Sequence, residues 1–160
     1  MAVSKVRMQR LTPLAIRDRA TLDSASAVAH DGVFRLSDTV FDEQSAVFRL
    51  AFHLPDTELA HYRRIMWPIS LRYIPFARWE LMFSSVQSCQ IRLENDTNVN
   101  SLPLEIASLR LDPDDSKITI VTHFVVTIEL VVSILSGELR QLSGDSPMAP
   151  LSSLVIRANR

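Results

Sequence analysis

Glycine is scarce in this chain: three residues in 160, where an average protein carries about 7%. That excludes the glycine-rich loops that cradle phosphate groups. Cysteine is nearly missing. Cys89 stands alone, so no internal disulfide and no cysteine-based zinc or iron–sulfur site can form, and the expected compartment is the reducing cytoplasm. Charge of one sign is also lacking. With 17 basic and 18 acidic side chains the net charge is −1, which argues against nucleic acid or an acidic membrane as partner. The first ten residues have no apolar core of a secretory signal. The Asn95-Asp96-Thr97 sequon therefore reads as an incidental match in a polar turn.

Long apolar runs are limited to one, Ile118 to Ser136. Glu129 near its middle would cost about 2.5 kcal/mol or more in a bilayer. Its apolar residues are mostly β-branched, which favours two adjacent strands over a membrane span.

What is present is apolar alternation: 47% of the residues are hydrophobic, too many for a disordered chain. Thr12-Pro13 predicts a helix over Leu14–Leu22. A hairpin is expected from Val33 to Leu54, turning at Asp42-Glu43-Gln44, because Ala46, Phe48, Leu50, Phe52 and Leu54 share one face. One or two helical turns are expected between Thr57 and Met66. Pro68 and Pro75 leave room for a short edge strand at Ile69–Tyr73. Trp79–Leu93 reads as a long strand bulged at Ser84-Ser85, and Leu104–Leu111 as a strictly alternating one. The turn Asp112-Pro113-Asp114-Asp115-Ser116 precedes two strands that bend near Thr122-His123-Phe124 and end at Ser136-Gly137. Leu151–Arg157 is a tail or a terminal strand. Tight turns between successive strands imply antiparallel pairing. The expectation is a mainly β, antiparallel sandwich or partly open barrel with one or two short helices. It comprises a flexible N-terminus (1–12), one domain (13–142) and a loop with a C-terminal tail or edge strand (143–160).

His30-Asp31-Gly32, followed by an apolar strand, an acidic turn and a second alternating strand, resembles the N-terminal segment of several small uncharacterised bacterial β-rich families. Trp79 to Val86 is similar to their later strand, and Ile106–Leu111 with Lys117–Glu138 to their last strands. The chain differs in having Gly32 where Ser is frequent, and in the added segment Pro55 to Arg78. Some of those families are encoded beside toxins and are taken for immunity proteins, so the resemblance implies a non-catalytic, immunity-like binding role.

Six groups of residues are candidates for chemistry or binding. In His30-Asp31 the imidazole and carboxylate point to opposite faces if extended, so a turn closed by Asp31, with Gly32 supplying an unusual φ, is expected rather than a pair. His53 and His61 around Asp56 and Glu58 lack any zinc spacing and read as a solvated loop. His123 at the bend and Glu129 on the next strand could face a cavity, but an outward Glu129 is favoured. Cys89 among apolar positions reads as a buried thiol. The acidic turn at Asp112 lacks the Gly and late Glu of a calcium loop. The most suggestive stretch is Tyr62, Arg63, Arg64, Trp67, Arg72, Tyr73, Arg78 and Trp79, an arginine–aromatic mixture of the kind that forms protein interfaces. The expected function is non-catalytic binding of a protein partner or of a second copy, without cofactor, metal, nucleic acid or membrane. The alternative is a small-molecule-binding or hydrolytic barrel using His30, Asp31, His123 or Glu129.

Overall fold

The computed structural model describes residues 12–56, 61–66, 69–73, 75–94, 99–124, 126–142 and 153–156, with only the backbone path for 61–66, 69–73 and 153–156. The expectations for residues 1–11, Trp67, the sequon at Asn95 and the loop 143–150 fall outside this set. Among the described residues, eleven strands and one α-helix follow the order β1 (Leu14–Ile16), α1 (Arg19–Ala29), β2 (Val33–Phe34), β3 (Thr39–Asp42), β4 (Val47–Pro55), β5 (His61–Met66), β6 (Ile69–Tyr73), β7 (Phe76–Leu93), β8 (Leu104–Leu111), β9 (Lys117–Thr122), β10 (Val126–Gln141) and β11 (Ser153–Ile156). The class is mainly antiparallel β, as expected. The architecture is neither sandwich nor open barrel. Six strands close into a ring, β10-β7-β4-β2-β8-β9 and back to β10, with β1 outside on β10 and β3 on β4.

The N-terminal expectation is corrected first. Residues Leu14–Ile16 are a strand, because the residue before Pro13 and those after it stay extended and pair with Gly137–Leu139 of β10. The helix starts at Asp18. Its carboxylate accepts from the Thr21 backbone N–H at 2.8 Å while Asp18 N–H donates to Thr21 Oγ1 at 3.1 Å, a reciprocal cap. The helix continues through the Ser/Ala run to Ala29, burying Leu22, Ala25 and Ala29. The segment expected to be helical up to Met66 ends instead in β5. The strand expected at an edge, β6, is the centre of a separate sheet ordered β11-β6-β5.

Bulges reconcile alternation with burial. A strict alternation through β8 would send Leu104 and Ile106 to one face and Leu109 and Leu111 to the other. The pairing of β8 with β9 slips between Ile106 and Ser108, and all four side chains are buried. The Leu109 N–H donates to Ser26 Oγ of α1 at 2.9 Å, fastening the helix to the bulged strand. The expected bulge at Ser84-Ser85 is present: Ser85 adopts φ 59° and the β7–β10 register jumps there. Strand β10 does not stop at Ser136-Gly137 but runs to Gln141. Gly137 is there for space, since a Cβ would lie 2.6 Å from Met82 O and from the Phe83 ring.

Inward side chains fill the ring. Phe34, Phe48, Phe52, Phe83, Leu50, Leu81, Ile106, Ile118, Ile120 and Ile128 are fully buried, and among the described residues Thr122 is the one buried polar side chain. A six-stranded barrel is narrow enough for side chains to occupy it completely. Gly32 tightens the join between helix and barrel: a Cβ would come 2.5 Å from the Phe52 ring and 2.8 Å from Ala29 O. Gly32→Ala is expected to destabilise the protein by about 1–3 kcal/mol, the usual cost of overpacking, read as a lower denaturant midpoint at unchanged slope. A midpoint equal to wild type would show that the Phe52 ring moves aside freely.

Candidate functional site

The helix α1 ends at His30, whose N–H still donates to Ser26 O at 3.0 Å. The next residue, Asp31, takes the left-handed conformation (φ 64°) that terminates helices. Asp31, not Gly32, therefore supplies the unusual φ. Two backbone bonds then anchor this corner to β8: Asp31 N–H to Ile106 O and Ile106 N–H to Gly32 O, both 2.9 Å. On the far side of β8, the bend after β9 is held by Thr122, whose hydroxyl donates to Phe124 O and Val126 O. His123 N–H donates to Glu105 O at 3.0 Å. Both neighbours of β8 thus present a side chain at the same end of the barrel.

The result is a cluster that spacing along the sequence did not reveal. Asp31 Oδ1 lies 3.1 Å from His30 Nδ1 and 3.2 Å from His123 Nε2. The two imidazoles meet edge to face, ring centres 5.4 Å apart. The expectation that His30 and Asp31 would not pair is overturned, because the left-handed residue swings the carboxylate back over the histidine. Each imidazole can donate to the carboxylate through the nitrogen that faces it. All three side chains are partly or largely solvent-exposed. Partial desolvation works against ionisation of Asp31, but the hydrogen bonds and positive charge of His30 and His123 prevail and hold its pKa below the ordinary carboxylate value.

Glu129 is not part of this cluster. It faces outward from the barrel wall as expected, and its carboxylate meets Arg92 Nη2 at 2.9 Å. Cys89 is half-buried rather than fully enclosed, and burial pushes its thiol pKa up, which makes it a poor nucleophile. In the acidic turn, Asp112 Oδ1 accepts the N–H groups of Ser116 and Lys117 at 2.9 and 3.0 Å, so its carboxylate organises the turn. Arg19 of the helix reaches this turn, bonding Leu111 O, Asp112 O and the Asp115 carboxylate.

The pair His53 and His61 is corrected: they sit on strands β4 and β5, not in one solvated loop. His53 lies in the barrel wall opposite Val33 and Arg78. Its Nε2 is buried without a hydrogen-bond partner. Burial, aided by the Arg78 charge, lowers its pKa. Of the arginine–aromatic stretch, Arg78 and Trp79 belong to β7 in the barrel wall, where Trp79 packs partly buried against the core. Tyr62, Arg63 and Arg64 are on β5, and Arg72 and Tyr73 on β6, in the separate sheet.

Stability should fall on acidification in two stages. His53 has a depressed pKa in the fold, so the unfolded chain binds its proton first and stability drops as pH falls below about 6.5. Asp18, Asp31, Asp42 and Asp112 are held low in the fold. Their contribution is complete above about pH 3.9 and is lost as pH falls through their folded values. Denaturation midpoints from pH 8 to 3 should show both stages, and His53→Gln should remove the upper one; an upper stage unchanged in that variant would assign it to other groups.

Among the described residues, no helix is long and apolar enough to cross a membrane. No family model matches the chain, and no similar curated protein or solved structure was found.

Proposed function

We propose that this protein is a non-catalytic interaction domain whose partner is a protein segment of acidic character, bound along the β11-β6-β5 sheet. The observation that carries the reading is the position of that sheet. Its strands β5 and β6 are inserted in the chain between barrel strands β4 and β7, and its third strand β11 follows β10. The sheet is separate from the closed ring, and among the described residues β5 and β11 form its two edges. Edge strands offer unpaired backbone groups to an added strand. From Leu59 to Trp79 the sequence has Arg63, Arg64, Arg72 and Arg78 and no acidic residue. Pairing of two β5 edges would bring like charges together, which disfavours a second copy and favours an acidic partner.

The barrel itself supports the same reading. Its interior is occupied by hydrocarbon, and the polar residues of the alternative reading are either on the outer surface, as with His30, Asp31 and His123, or paired, as Glu129 is with Arg92. A hydrolytic or small-molecule-binding barrel needs convergent polar groups in a concavity. Inhibition of an acidic partner protein in the cytoplasm, the immunity-like role, is one form that this function takes.

The test is selection of displayed random octapeptides on the immobilised full-length protein. Enrichment of Asp/Glu-rich, strand-forming sequences is expected, with binding that weakens as salt rises. The Arg63→Glu/Arg64→Glu variant, shown to be folded by its melting curve, should lose that enrichment. Selection without acidic preference, or an unchanged profile in the variant, would sink the proposal. Tighter binding of an oligothymidylate than of any selected peptide would replace it with a nucleic-acid reading.

A further inference from the structure

The cluster of His30, Asp31 and His123 gathers two imidazoles and one carboxylate, a donor set that can serve a metal as well as a hydrogen-bond network. Two of its members are 92 residues apart in sequence, and each residue directs one nitrogen or carboxylate oxygen into a common region, all three atoms lying within 4.8 Å of one another. In a tetrahedral zinc site with bonds of about 2.0 Å, neighbouring ligand atoms are about 3.3 Å apart. The two nitrogen-to-oxygen distances here are 3.1 and 3.2 Å. Two edges of such a site are therefore already at length, and the two nitrogens, which lie within 4.8 Å of each other, need only close toward one ion.

We propose that His30 Nδ1, Asp31 Oδ1 and His123 Nε2 bind one divalent transition-metal ion of the zinc class, leaving the remaining coordination position to water or to an added ligand. Two imidazoles and one carboxylate form a donor set suited to zinc, cobalt or nickel and poorly suited to calcium or magnesium, which prefer oxygen alone. The ligands are supplied by backbone that is already fixed. Asp31 is tied to Ile106, Gly32 accepts from Ile106, and His123 is tied to Glu105, so binding orders little beyond three side chains. On binding, the nitrogen of each imidazole that faces Asp31 gives its lone pair to the metal, and each neutral ring carries its one proton on its other nitrogen. The site then bridges the end of α1 to the β9–β10 bend across β8. It is independent of the β11-β6-β5 sheet, and its test does not involve the acidic partner.

The experiment uses tag-free full-length protein stripped with chelator and titrated with Zn2+ by calorimetry, and with Co2+ by visible absorption. One Zn2+ per chain is expected, with a higher Tm in excess Zn2+ and a ligand-field band from Co2+ of four-coordinate intensity. His30→Gln, Asp31→Asn and His123→Gln should each weaken Zn2+ binding at least tenfold. Asn tolerates the left-handed conformation, so Asp31→Asn keeps the turn while removing the charge. Melting of the metal-free variants checks their fold, and if His123→Gln proves unfolded, Asp31→Asn and the wild-type cobalt spectrum decide. Absence of Zn2+ and Co2+ binding up to millimolar concentration, or wild-type affinity in folded Asp31→Asn, would overturn the proposal.

Discussion

Strand β10 hydrogen-bonds along both of its edges, to β7 from Val126 to Gln141 and to β9 from Thr127 to Val131. The second pairing is what turns a sheet into a ring. Everything else follows from it: the inner faces of six strands are forced toward one axis, so their alternate residues must be apolar and must interlock. That explains why Ile118 and Ile120 of β9, and Val126, Ile128 and Leu130 of β10, are buried while their neighbours are not. It also explains the bulges. A strand that winds round a narrow barrel has to bend, and an unpaired residue is how a strand bends.

The sequence conveyed the barrel's strands well and left its closure partial, as one of two architectures. Alternation at Val47–Pro55 and Lys117–Thr122 is a local property, visible to anyone counting by twos. Whether β9 pairs with β10 alone or also completes a ring depends on twist and register summed over six strands, which no single segment encodes. Thr12-Pro13 has the pattern of a helix opening, but the reciprocal Asp18–Thr21 cap is the stronger signal and sets where the helix starts. The helical turns expected over 57–66 rest on Leu59 and Tyr62, three residues apart as on one side of a helix, whereas 61–66 is extended because it pairs with β6.

The candidate site was half legible. His30, Asp31 and His123 were each identified from the sequence as polar residues at turns, yet their meeting was hidden for two reasons. One is the left-handed φ of Asp31, assigned from sequence to the glycine beside it because glycine adopts that conformation without strain. The other is that β8 separates the two loops in sequence while joining them in space. Glu129, named with them, was joined only by being on the same strand pair as His123; its outward direction and its partner Arg92 remove it.

Strand β2 has only two residues in the ring, making one paired position with β4 and two with β8. In a closed barrel every rung resists separation, so the ring's weakest join sets where it breathes. Opening at β2 breaks three paired positions, whereas opening at β10 would break rungs along its whole length. Slow hydrogen exchange throughout β7 and β10, with a fast window at Val33 and Phe34, is the dynamic signature of such a ring. Asp31 and Gly32 lead directly into that join, and the contact of Asp31 with His123 ties the start of β2 to the β9–β10 bend across β8.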